Sequence, residues 1–445
     1  TRRTNGFVLP LIAVLFILYG LYGNILPYSF GGHRGYSFSR LISYLVGMDA
    51  MLSTPLATAA SFVFLFFLFS SFLASTGAGQ FFIDLALGLA GGTRGGPAKV
   101  AVIGSALFGM ISGSSSANVV ASGTFTIPMM IKTGYSPRFS AAVESVASTG
   151  GQMMPPIMGA AAFIMADVIG VSYLTIAKAA LIPSVLYYLT LLAIIHLEAV
   201  SKNMGTLPPE LVPSAASVLR RLYYLFPLVF LITILLMGRS VIACAYYGTV
   251  CIVILSMIRS ETRFTFKRLC GALELSAKNA MMVSSCCACA GIIIGVISLT
   301  GIGYKFINVI TALAGSNLLL LMAMLMVTCI ILGMGMPVPA AYVLTATLAA
   351  PALLEFKFSL MSAHLFIVYF SAISAITPPV AVAAYAAAGI SEGDPNATGV
   401  QAVRLAVAAY IVPFVFMYRP ALILDGSLPE ILWTASSITL LFIRS

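Results

Sequence analysis

Residues 109–123, GMISGSSSANVVASG, concentrate small and polar side chains within a chain that is otherwise strongly apolar. Serine hydroxyls and an asparagine amide are uncharged oxygen ligands. Oxygen ligands suit a hard cation, and neutral ones avoid the cost of placing a charge inside a membrane. The stretch therefore predicts a sodium site, and its candidate ligands are Ser112, Ser114, Ser115, Ser116 and Asn118.

The composition explains why a membrane is the expected setting. Of the 445 residues, 60% are hydrophobic and 8% are charged, against about 25% charged in an ordinary soluble domain. The mean hydropathy is +1.05. A membrane-spanning helix needs about 20 apolar residues, and apolar runs of roughly this kind recur along the chain. They are residues 7–26, 57–74, 176–197, 223–237, 241–258, 281–299, 318–332 and 403–416. We therefore predict an all-α polytopic membrane protein.

The net charge of +10 does not indicate a nucleic-acid partner. Basic pairs such as Arg94 with Lys99 and Arg220 with Arg221 lie between apolar runs, where positive charge sets the orientation of a membrane protein. We predict that the chain binds the lipid bilayer and no nucleic acid.

The chain repeats itself. The segment STGAGQFFIDLALGLAGG, which begins at Ser75, resembles LTGIGYKFINVITALAGS, which begins at Leu299, so that Thr76 recurs as Thr300. A second similarity is shifted by one position from this register. Pro128 precedes Pro155 by the same spacing as Pro351 precedes Pro378. Secondary transporters are often built from two such repeats, with the substrate site where the repeats meet. Whether the repeats are inverted depends on the parity of the spans between them, which the sequence leaves open.

Each repeat contains two polar interruptions. Residues 112–123 and 333–347 are typical of a re-entrant hairpin, whose arms we expect to be too short to cross the membrane alone. Residues 147–156 and 371–379 end in proline pairs and are typical of a broken helix, because proline removes a backbone donor and frees carbonyl groups. Non-helical backbone is tolerated at membrane depth only inside protein or beside a watery cavity.

These interruptions place the predicted ligands. For the first sodium site we predict Ser112, Ser114 and Asn118 from the hairpin, opposite Gly150 and Gly151 from the broken helix. For the second site, the corresponding residues are Gly333, Gly335, Met336, Ser374 and Thr377. Half-helix N-termini favour an anion. We predict an anionic substrate at Ser115, Ser116, Thr149, Pro155, Thr377 and Pro378.

Simple kinking and close helix packing are the alternative explanation for such small-residue clusters. Charged residues near the apolar runs are further candidates, because ionisable groups inside membranes are often functional; they are Asp84, Glu144, Asp167, Lys178, Lys278 and Lys305. For these we favour local salt bridges or helix ends over a direct role. The three cysteines Cys286, Cys287 and Cys289 are better explained by packing than by a metal.

Several stretches of the sequence resemble a known family of membrane proteins. GMISGSSSANVVASGTFTIPMMIKTGY, followed by FSAAVESVASTGGQMMPPIMGAAAFIMAD, resembles the large membrane subunit of tripartite ATP-independent periplasmic (TRAP) transporters, most closely the TAXI subgroup. RGGPAKVAVIGSALFG and STGAGQFFIDLALGLAGG fit as well, and the similarity covers nearly the whole chain.

The resemblance implies two inverted repeats, each with a re-entrant hairpin and a broken helix, arranged as a scaffold and an elevator-type transport domain. Sodium ions would act as coupling ions, with no other cofactor, and would drive import of a small organic carboxylate such as a dicarboxylate. The implied partners are a periplasmic substrate-binding protein of the TAXI type and a small four-helix membrane subunit, separate or fused, which we expect to be absent from this chain. The implied location is the cytoplasmic (inner) membrane of a bacterium or archaeon.

From these observations we predict five segments. Residues 1–55 form an N-terminal membrane helix and an interfacial segment, and residues 56–199 form the first repeat, with its hairpin at 109–131 and its broken helix at 140–171. Residues 200–280 form a linker and connecting helices. Residues 281–420 form the second repeat, with its hairpin at 333–354 and its broken helix at 362–390. Residues 421–445 form a C-terminal membrane segment, shorter than in fused relatives.

Three rival functions remain at this stage. A one-component sodium–carboxylate symporter of the same superfamily would share the ion sites and need no binding protein. A non-transporting membrane subunit of a proton-conducting complex would call for a chain of lysine, glutamate and histidine residues along the midplane, which the scattered charges do not form. An integral membrane enzyme is disfavoured because neither an HExxH motif nor a Ser–His–Asp set stands out, so we predict that the protein is not an enzyme.

Overall fold

A computed structural model describes residues 7–27, 31–258 and 262–444 of the chain, and within these ranges the regular structure is helical, without a strand. The predicted N-terminal, linker and C-terminal segments each include residues outside these ranges.

The helices of the first half, in chain order, are α1 (Val8–Tyr22), α2 (Phe38–Leu45), α3 (Thr54–Thr58), α4 (Phe64–Ser75), α5 (Ala78–Ala90), α6 (Gly96–Ser112), α7 (Ser115–Lys132), α8 (Pro137–Gly151), α9 (Ala160–Ile169) and α10 (Tyr173–Ser201). A π-helical turn, Ala59–Val63, joins α3 to α4.

The helices that follow are α11 (Ala215–Leu219), α12 (Phe226–Leu236), α13 (Val241–Ile258), α14 (Phe266–Thr300), α15 (Ile302–Ala314), α16 (Leu318–Gly333), α17 (Val338–Glu355), α18 (Leu360–Ile373), α19 (Val382–Ser391), α20 (Pro395–Leu405), α21 (Val407–Tyr418) and α22 (Leu428–Arg444). Short 3-10 turns lie at Gly23–Ile25, Pro209–Leu211, Leu222–Leu225, Ser374–Ile376 and Pro420–Ile423.

Several of these helices have the length and composition of membrane spans. Six in the described ranges are long and apolar enough to cross a membrane, or up to eight if each of two bent helix pairs counts as one span. The predicted span at residues 281–299 is the second half of the 35-residue helix α14. The all-α polytopic character predicted from the composition is therefore present in the structure.

The first predicted hairpin is more helical than its polar composition suggests. Only Gly113 and Ser114 separate α6 from α7, and Gly113 has a φ of 65°, a left-handed conformation that suits glycine. The other polar residues continue as helix, and the Ser122 and Thr126 hydroxyls lie 2.8 and 3.1 Å from carbonyls one turn back, those of Asn118 and Ser122.

Our expectation of arms too short to cross the membrane alone is confirmed for α6 and α16 and is wrong for α17. The arms α6, α7, α16 and α17 have 17, 18, 16 and 18 residues. At 1.5 Å per residue, these helices approach the length of a span, and α17 alone is long and apolar enough to cross. In the second hairpin the helix stops only between Gly333 and Val338, where Gly335 has a φ of 69°.

Both predicted helix breaks are present. The first separates α8 from α9 over residues 152–159, and the second separates α18 from α19 over residues 374–381. Each break contains a cis proline pair, Pro155–Pro156 in the first and Pro378–Pro379 in the second. The breaks lie at corresponding places in the two repeats, and at the first break the carbonyls of Gly150 and Gly151 accept from the N–H groups of Met153 and Met154.

The chain divides into two compact units that do not follow the sequence halves. The first unit comprises residues 1–63, 160–171 and 278–374, and the second comprises residues 64–159, 172–277 and 375–445. Each unit therefore receives one hairpin, together with one arm from each broken helix. The five-segment division of the sequence stays a prediction.

Within the first unit, α16, α17 and α18 pack on one another, and α9 packs on α17 and α18. A core of buried side chains joins α1, α14 and α17 through Leu9, Ile293 and Leu344. Within the second unit, α6, α7 and α8 pack together, and α19 covers α7 and α8 while α20 packs on α8. Each hairpin is thus held against one arm of a broken helix.

Candidate ion and substrate site

The tip of the first hairpin presents half-buried hydroxyl groups. The Ser112 hydroxyl donates to the Ser114 carbonyl at 3.4 Å, and the Ser114 hydroxyl accepts from the Ala117 backbone N–H at 3.4 Å, which caps α7. The Ser112 oxygen uses no lone pair in its contact and the Ser114 oxygen uses one, so both oxygens keep a lone pair for a cation. The Ser115 side chain is buried, whereas Ser116 is half-buried.

The hairpin approaches the first helix break where two glycines meet. A Cβ placed on Gly151 would lie 2.5 Å from the Gly109 Cα, and a Cβ on Gly109 would lie 2.7 Å from the Asn118 Nδ2. Only hydrogen fits between these backbones. The crossing of α6 and α8 therefore brings Asn118 and Gly151, two of the five predicted ligands of the first sodium site, to the same place.

Asn118 is fully buried and held in one orientation. Its Nδ2 donates to the Ser105 carbonyl at 2.9 Å, and its Oδ1 lies 3.2 Å from the Ser122 hydroxyl. A carbonyl oxygen accepts two hydrogen bonds, so Oδ1 keeps capacity for a cation. A neutral amide oxygen such as Asn118 Oδ1 is a suitable ligand for a hard monovalent cation.

Gly150 faces away from the hairpin. A Cβ there would lie 2.4 Å from the Tyr187 ring, and its carbonyl accepts from the Met153 N–H at 3.0 Å. The Tyr187 and Tyr188 hydroxyls donate to the carbonyls of Val146 and Ala147, each at 2.7 Å. Gly150 thus lets the two rings pack on α8, and any ion contact would have to come from its carbonyl oxygen.

The second hairpin shows a similar approach. A Cβ on Gly333 would lie 2.7 Å from the Ser374 Oγ, whose hydroxyl donates to the Ser371 carbonyl at 2.7 Å. The Met336 side chain is buried in the apolar core beside Leu344, and its N–H donates to the Gly333 carbonyl at 3.2 Å. Of the predicted second set, Gly333, Gly335, Met336 and Ser374 belong to the first unit, whereas Thr377 belongs to the second.

The six predicted substrate residues all belong to the second unit. Thr149 is buried, and its hydroxyl donates to the Ser145 carbonyl at 2.9 Å, within its own helix. The Thr377 hydroxyl pairs with the Tyr410 hydroxyl at 2.6 Å. Pro378 packs against α20, because a Cβ on Gly399 would lie 3.0 Å from its Cγ. Pro155 and Pro378 therefore shape the breaks, while Ser115 and Ser116 begin α7.

A buried carboxylate that we had not placed in the site lies at the centre of the first hairpin. Glu144 on α8 is fully buried, and no cationic side chain pairs with it among the described residues. Its Oε1 accepts from the hydroxyls of Ser105 at 2.6 Å, Ser122 at 2.5 Å and Ser148 at 3.2 Å. Its Oε2 accepts from the Thr126 hydroxyl at 2.6 Å. We call Glu144 and these four residues the Glu144 cluster.

The Glu144 cluster ties both arms of the hairpin to the broken helix, since Ser105 is on α6, Ser122 and Thr126 are on α7, and Ser148 is on α8. A four-residue spacing could have identified part of the cluster, because Glu144 and Ser148, like Ser122 and Thr126, are one helical turn apart.

The other charged candidates have local partners or lie at the surface. Asp84 forms a salt bridge with Arg221 at 2.6 Å, and Asp167 accepts from the Thr58 hydroxyl at 2.5 Å. The Lys305 ammonium donates to the Gly32 carbonyl at 2.6 Å, and Lys178 is exposed. The pair of Asp84 and Arg221 is a local salt bridge of the kind that we favoured, and Lys278 is exposed.

Parts of the chain are similar in sequence to transporter permeases. The chain shares 34% identity over 143 residues with "C4-dicarboxylate TRAP transporter large permease protein DctM" of Vibrio cholerae, an alignment covering 32% of this chain and 31% of that protein. With the DctM protein of Pseudomonas aeruginosa, the chain shares 35% identity over 144 residues. That alignment covers 32% of this chain and 33% of that protein. The "Isethionate TRAP transporter permease protein DctMQ" of Oleidesulfovibrio alaskensis is 41% identical over 86 residues, or 19% of this chain and 13% of that protein.

The alignments with the two DctM proteins span about a third of their length. At the level of fold, the chain is similar to the crystal structure of the Alcanivorax borkumensis YdaH transporter, with a TM-score of 0.56 and 14% identity over 91% of this chain and 97% of that one. Residues 1–431 match the family described as "Tripartite ATP-independent periplasmic transporter, DctM component". The chain therefore belongs to the DctM family of TRAP transporter large permeases.

Proposed function

We propose that the protein is the permease subunit of a sodium-coupled importer that carries a small organic carboxylate across the cytoplasmic membrane of a bacterium or archaeon. The coupling ions would bind at the two hairpins, and the substrate would move by an elevator mechanism. The relatives' printed names, which include C4-dicarboxylate and isethionate permeases, support a small organic acid as the substrate class.

The main supporting observation is the meeting of the first hairpin with the first helix break at Gly109 and Gly151. This approach brings the Asn118 side chain, through its amide nitrogen, and the end of α8 to the same place, and residues 109–118 at the tip include no charged side chain. Helix C-terminal ends favour cations. A transport cycle could therefore use ion binding to fix the hairpin against α8.

Sodium binding can be tested directly on the purified chain in detergent. The melting temperature would be measured across a sodium series, with choline holding the ionic strength constant. A ligand present at about 100 times its Kd stabilises the folded state by about 2.7 kcal/mol. We expect a sodium-specific rise for the natural chain and a much smaller one for Ser114→Ala.

Thr124→Ala is the matched control. Thr124 is exposed on the same hairpin helix, and its hydroxyl bonds only a carbonyl of its own helix, that of Ala121, at 3.3 Å. Each variant is compared with its own sodium-free melting temperature, because loss of the Ser114 cap costs about 1 kcal/mol by itself. An unchanged melting temperature at all sodium concentrations would remove the proposal of sodium coupling at this hairpin.

We further propose that a periplasmic substrate-binding protein, of the TAXI type, delivers the substrate, and that a small four-helix membrane subunit completes the permease. Membership of the large-permease family supports both partners. Reconstituted vesicles containing all three components should take up substrate only when the binding protein is present. Uptake that is equally fast without it would favour the one-component symporter instead.

A further inference from the structure

The first unit contains a cavity that lies outside the predicted ion and substrate residues. It has a volume of about 370 Å³ and lies between the start of α3 and helices α9, α14, α17 and α18. Its walls are mostly apolar and include Val168, Ile294 and Ala346. Ligand pockets in proteins have volumes of about 300–1,000 Å³ and combine apolar walls with a few fixed polar groups.

A buried histidine supplies the first polar group. His364 is 5% exposed, and its Nδ1 lies 2.9 Å from the hydroxyl of the fully buried Tyr342. Both residues line the cavity. The described part of the chain provides no partner for the other ring nitrogen of His364. Tyr342 fixes the orientation of the His364 ring through Nδ1. The other ring nitrogen, Nε2, remains available for a hydrogen bond with a ligand of the cavity.

Ser53 and Thr347 supply two more polar atoms. The Ser53 Oγ is buried and has no hydrogen-bond partner among the described residues. Pro351 has no N–H, so the Thr347 carbonyl lacks the donor that a helix normally supplies four residues later. Ser53, Thr347 and Pro351 all line the same cavity. Buried polar groups are nearly always hydrogen-bonded, so this combination indicates an occupant.

The lining also restricts what the occupant can be. No aspartate, glutamate, lysine or arginine of the described chain lines the cavity, so a charged ligand would be left uncompensated. Val168 and Leu354 line it and are 44% and 39% exposed, which gives the cavity an apolar opening. An apolar chain can enter there, and a neutral polar group can reach the interior.

We propose that this cavity binds an uncharged amphiphile, an apolar chain carrying a neutral ester or hydroxyl group that hydrogen-bonds His364 and Ser53. The chain would lie along α17 against Ala346. The same chemistry is found in the ester region of a membrane glycerolipid and in a free monoacylglycerol. Occupancy would brace the second hairpin against α3, α9 and α14, all of which line the cavity from the same unit.

The test uses a monoacylglycerol with a photoreactive diazirine in its chain, added to the full-length protein in detergent. After illumination, mass spectrometry identifies the labelled peptides. We expect label to concentrate on α17 and α9 around Ala346 and Val168. Ala346→Phe, which fills the cavity, should weaken labelling about tenfold, equivalent to about 1.4 kcal/mol of binding free energy.

Leu319→Phe is the matched control, because Leu319 is 55% exposed on α16 and does not line the cavity. It should leave labelling at α17 unchanged. Label spread evenly over the exposed apolar helices, or an equal effect of the two phenylalanine variants, would overturn the proposal. So would the absence of label, which would leave water as the occupant.

A second variant keeps the proposal testable if Ala346→Phe does not fold. His364→Phe retains an aromatic ring but removes the hydrogen-bonding nitrogens. The natural protein should prefer the ester probe to a diazirine-bearing hydrocarbon of equal length, and His364→Phe should lose that preference. If the natural protein shows no preference, no hydrogen bond to the ester is made and the proposal fails.

The two sources of the chain are distinguished in bilayer nanodiscs that contain phosphatidylcholine with a diazirine in one acyl chain. Label at α17 in the nanodiscs identifies the bilayer lipid as an occupant. Label from the free monoacylglycerol alone identifies a separate lipid-like ligand. Both results support the proposed chemistry, and neither depends on whether sodium binds at the first hairpin.

Discussion

The two hairpins pack against their broken helices with similar geometry but different polar chemistry. In the second unit, Ser105, Ser122 and Ser148 surround the Glu144 carboxylate. The repeat register that pairs Pro128 with Pro351 also pairs Ser122 with Thr345 and Ser148 with Ser371. The Thr345 and Ser371 hydroxyls lie 3.2 Å apart in the first unit. In the same register, Glu144 corresponds to Ile367, which is also fully buried.

The register that pairs Thr76 with Thr300 extends this correspondence to Ser105 and Cys329, and to Gly109 and Gly333. The Thr345 and Ser371 hydroxyls therefore face each other where the first repeat has hydroxyls around a buried carboxyl group. Small polar residues occupy these positions in both repeats, whereas the buried carboxyl group belongs to the first hairpin only. Glu144 therefore distinguishes the polar contacts of the first hairpin from those of the second.

The largest expected effect comes from making the second hairpin resemble the first. Ile367→Glu would bury a carboxylate where the four-hydroxyl arrangement around Glu144 is not reproduced. A buried charge without adequate partners destabilises by about 3–5 kcal/mol. Chemical unfolding in detergent measures this loss, with the volume-conserving Ile367→Leu as the control. Stability close to that of the natural protein would show that the two networks are interchangeable.

Removing the charge from the first hairpin should have the next largest effect. Glu144→Gln keeps the size of the side chain but replaces one acceptor oxygen with a donor nitrogen. Because hydrogen bonds to charged groups contribute about 1.5–3 kcal/mol each, we expect a loss of free energy of unfolding of about this size. Unfolding of Asp84→Asn provides the comparison for a partly exposed carboxylate, and an equal or smaller loss for Glu144→Gln would contradict our interpretation.

The two close approaches of hairpin and broken helix should respond differently to an added methyl group. In Gly151→Ala the Cβ would meet the Gly109 backbone at 2.5 Å, whereas in Gly333→Ala it would meet the Ser374 side chain at 2.7 Å. Overpacking costs about 1–3 kcal/mol, and we expect the larger loss at Gly151, where backbone must move. Ser374→Gly should restore the stability of Gly333→Ala. Failure of this rescue in thermal unfolding would show that another contact is responsible.

The smallest expected effect is the difference in stability lost when a serine hydroxyl is removed beside a carboxyl group or beside another hydroxyl at equivalent positions. The Ser148 hydroxyl lies 3.2 Å from the Glu144 carboxylate, and the Ser371 hydroxyl lies 3.2 Å from the Thr345 hydroxyl. Since charged hydrogen bonds exceed neutral ones by about 1 kcal/mol, Ser148→Ala should destabilise more than Ser371→Ala by about that amount. Equal losses in parallel unfolding measurements would mean that the charge adds nothing at this distance.

Much of the architecture could be predicted from local features. The polar tip at Gly113, the proline pairs after Gly151 and Ser374, and the two repeat registers identified the hairpins and the breaks. The length of α17 could not be read in this way. In the first hairpin, the Ser122 and Thr126 hydroxyls donate to the carboxyl group of Glu144 on another helix, a contact that local sequence does not show.

The sequence alone determined the membrane setting, the duplication and the positions of the helix breaks, because these depend on apolar length, repetition and proline geometry. The packing of the helices sets which distant groups meet. It brought Ser105, Ser122 and Thr126 to Glu144, turned Gly150 towards Tyr187, and placed His364 beside Tyr342. The physical reason is that helix periodicity gives each side chain a face, but packing between helices chooses the partner that the face meets.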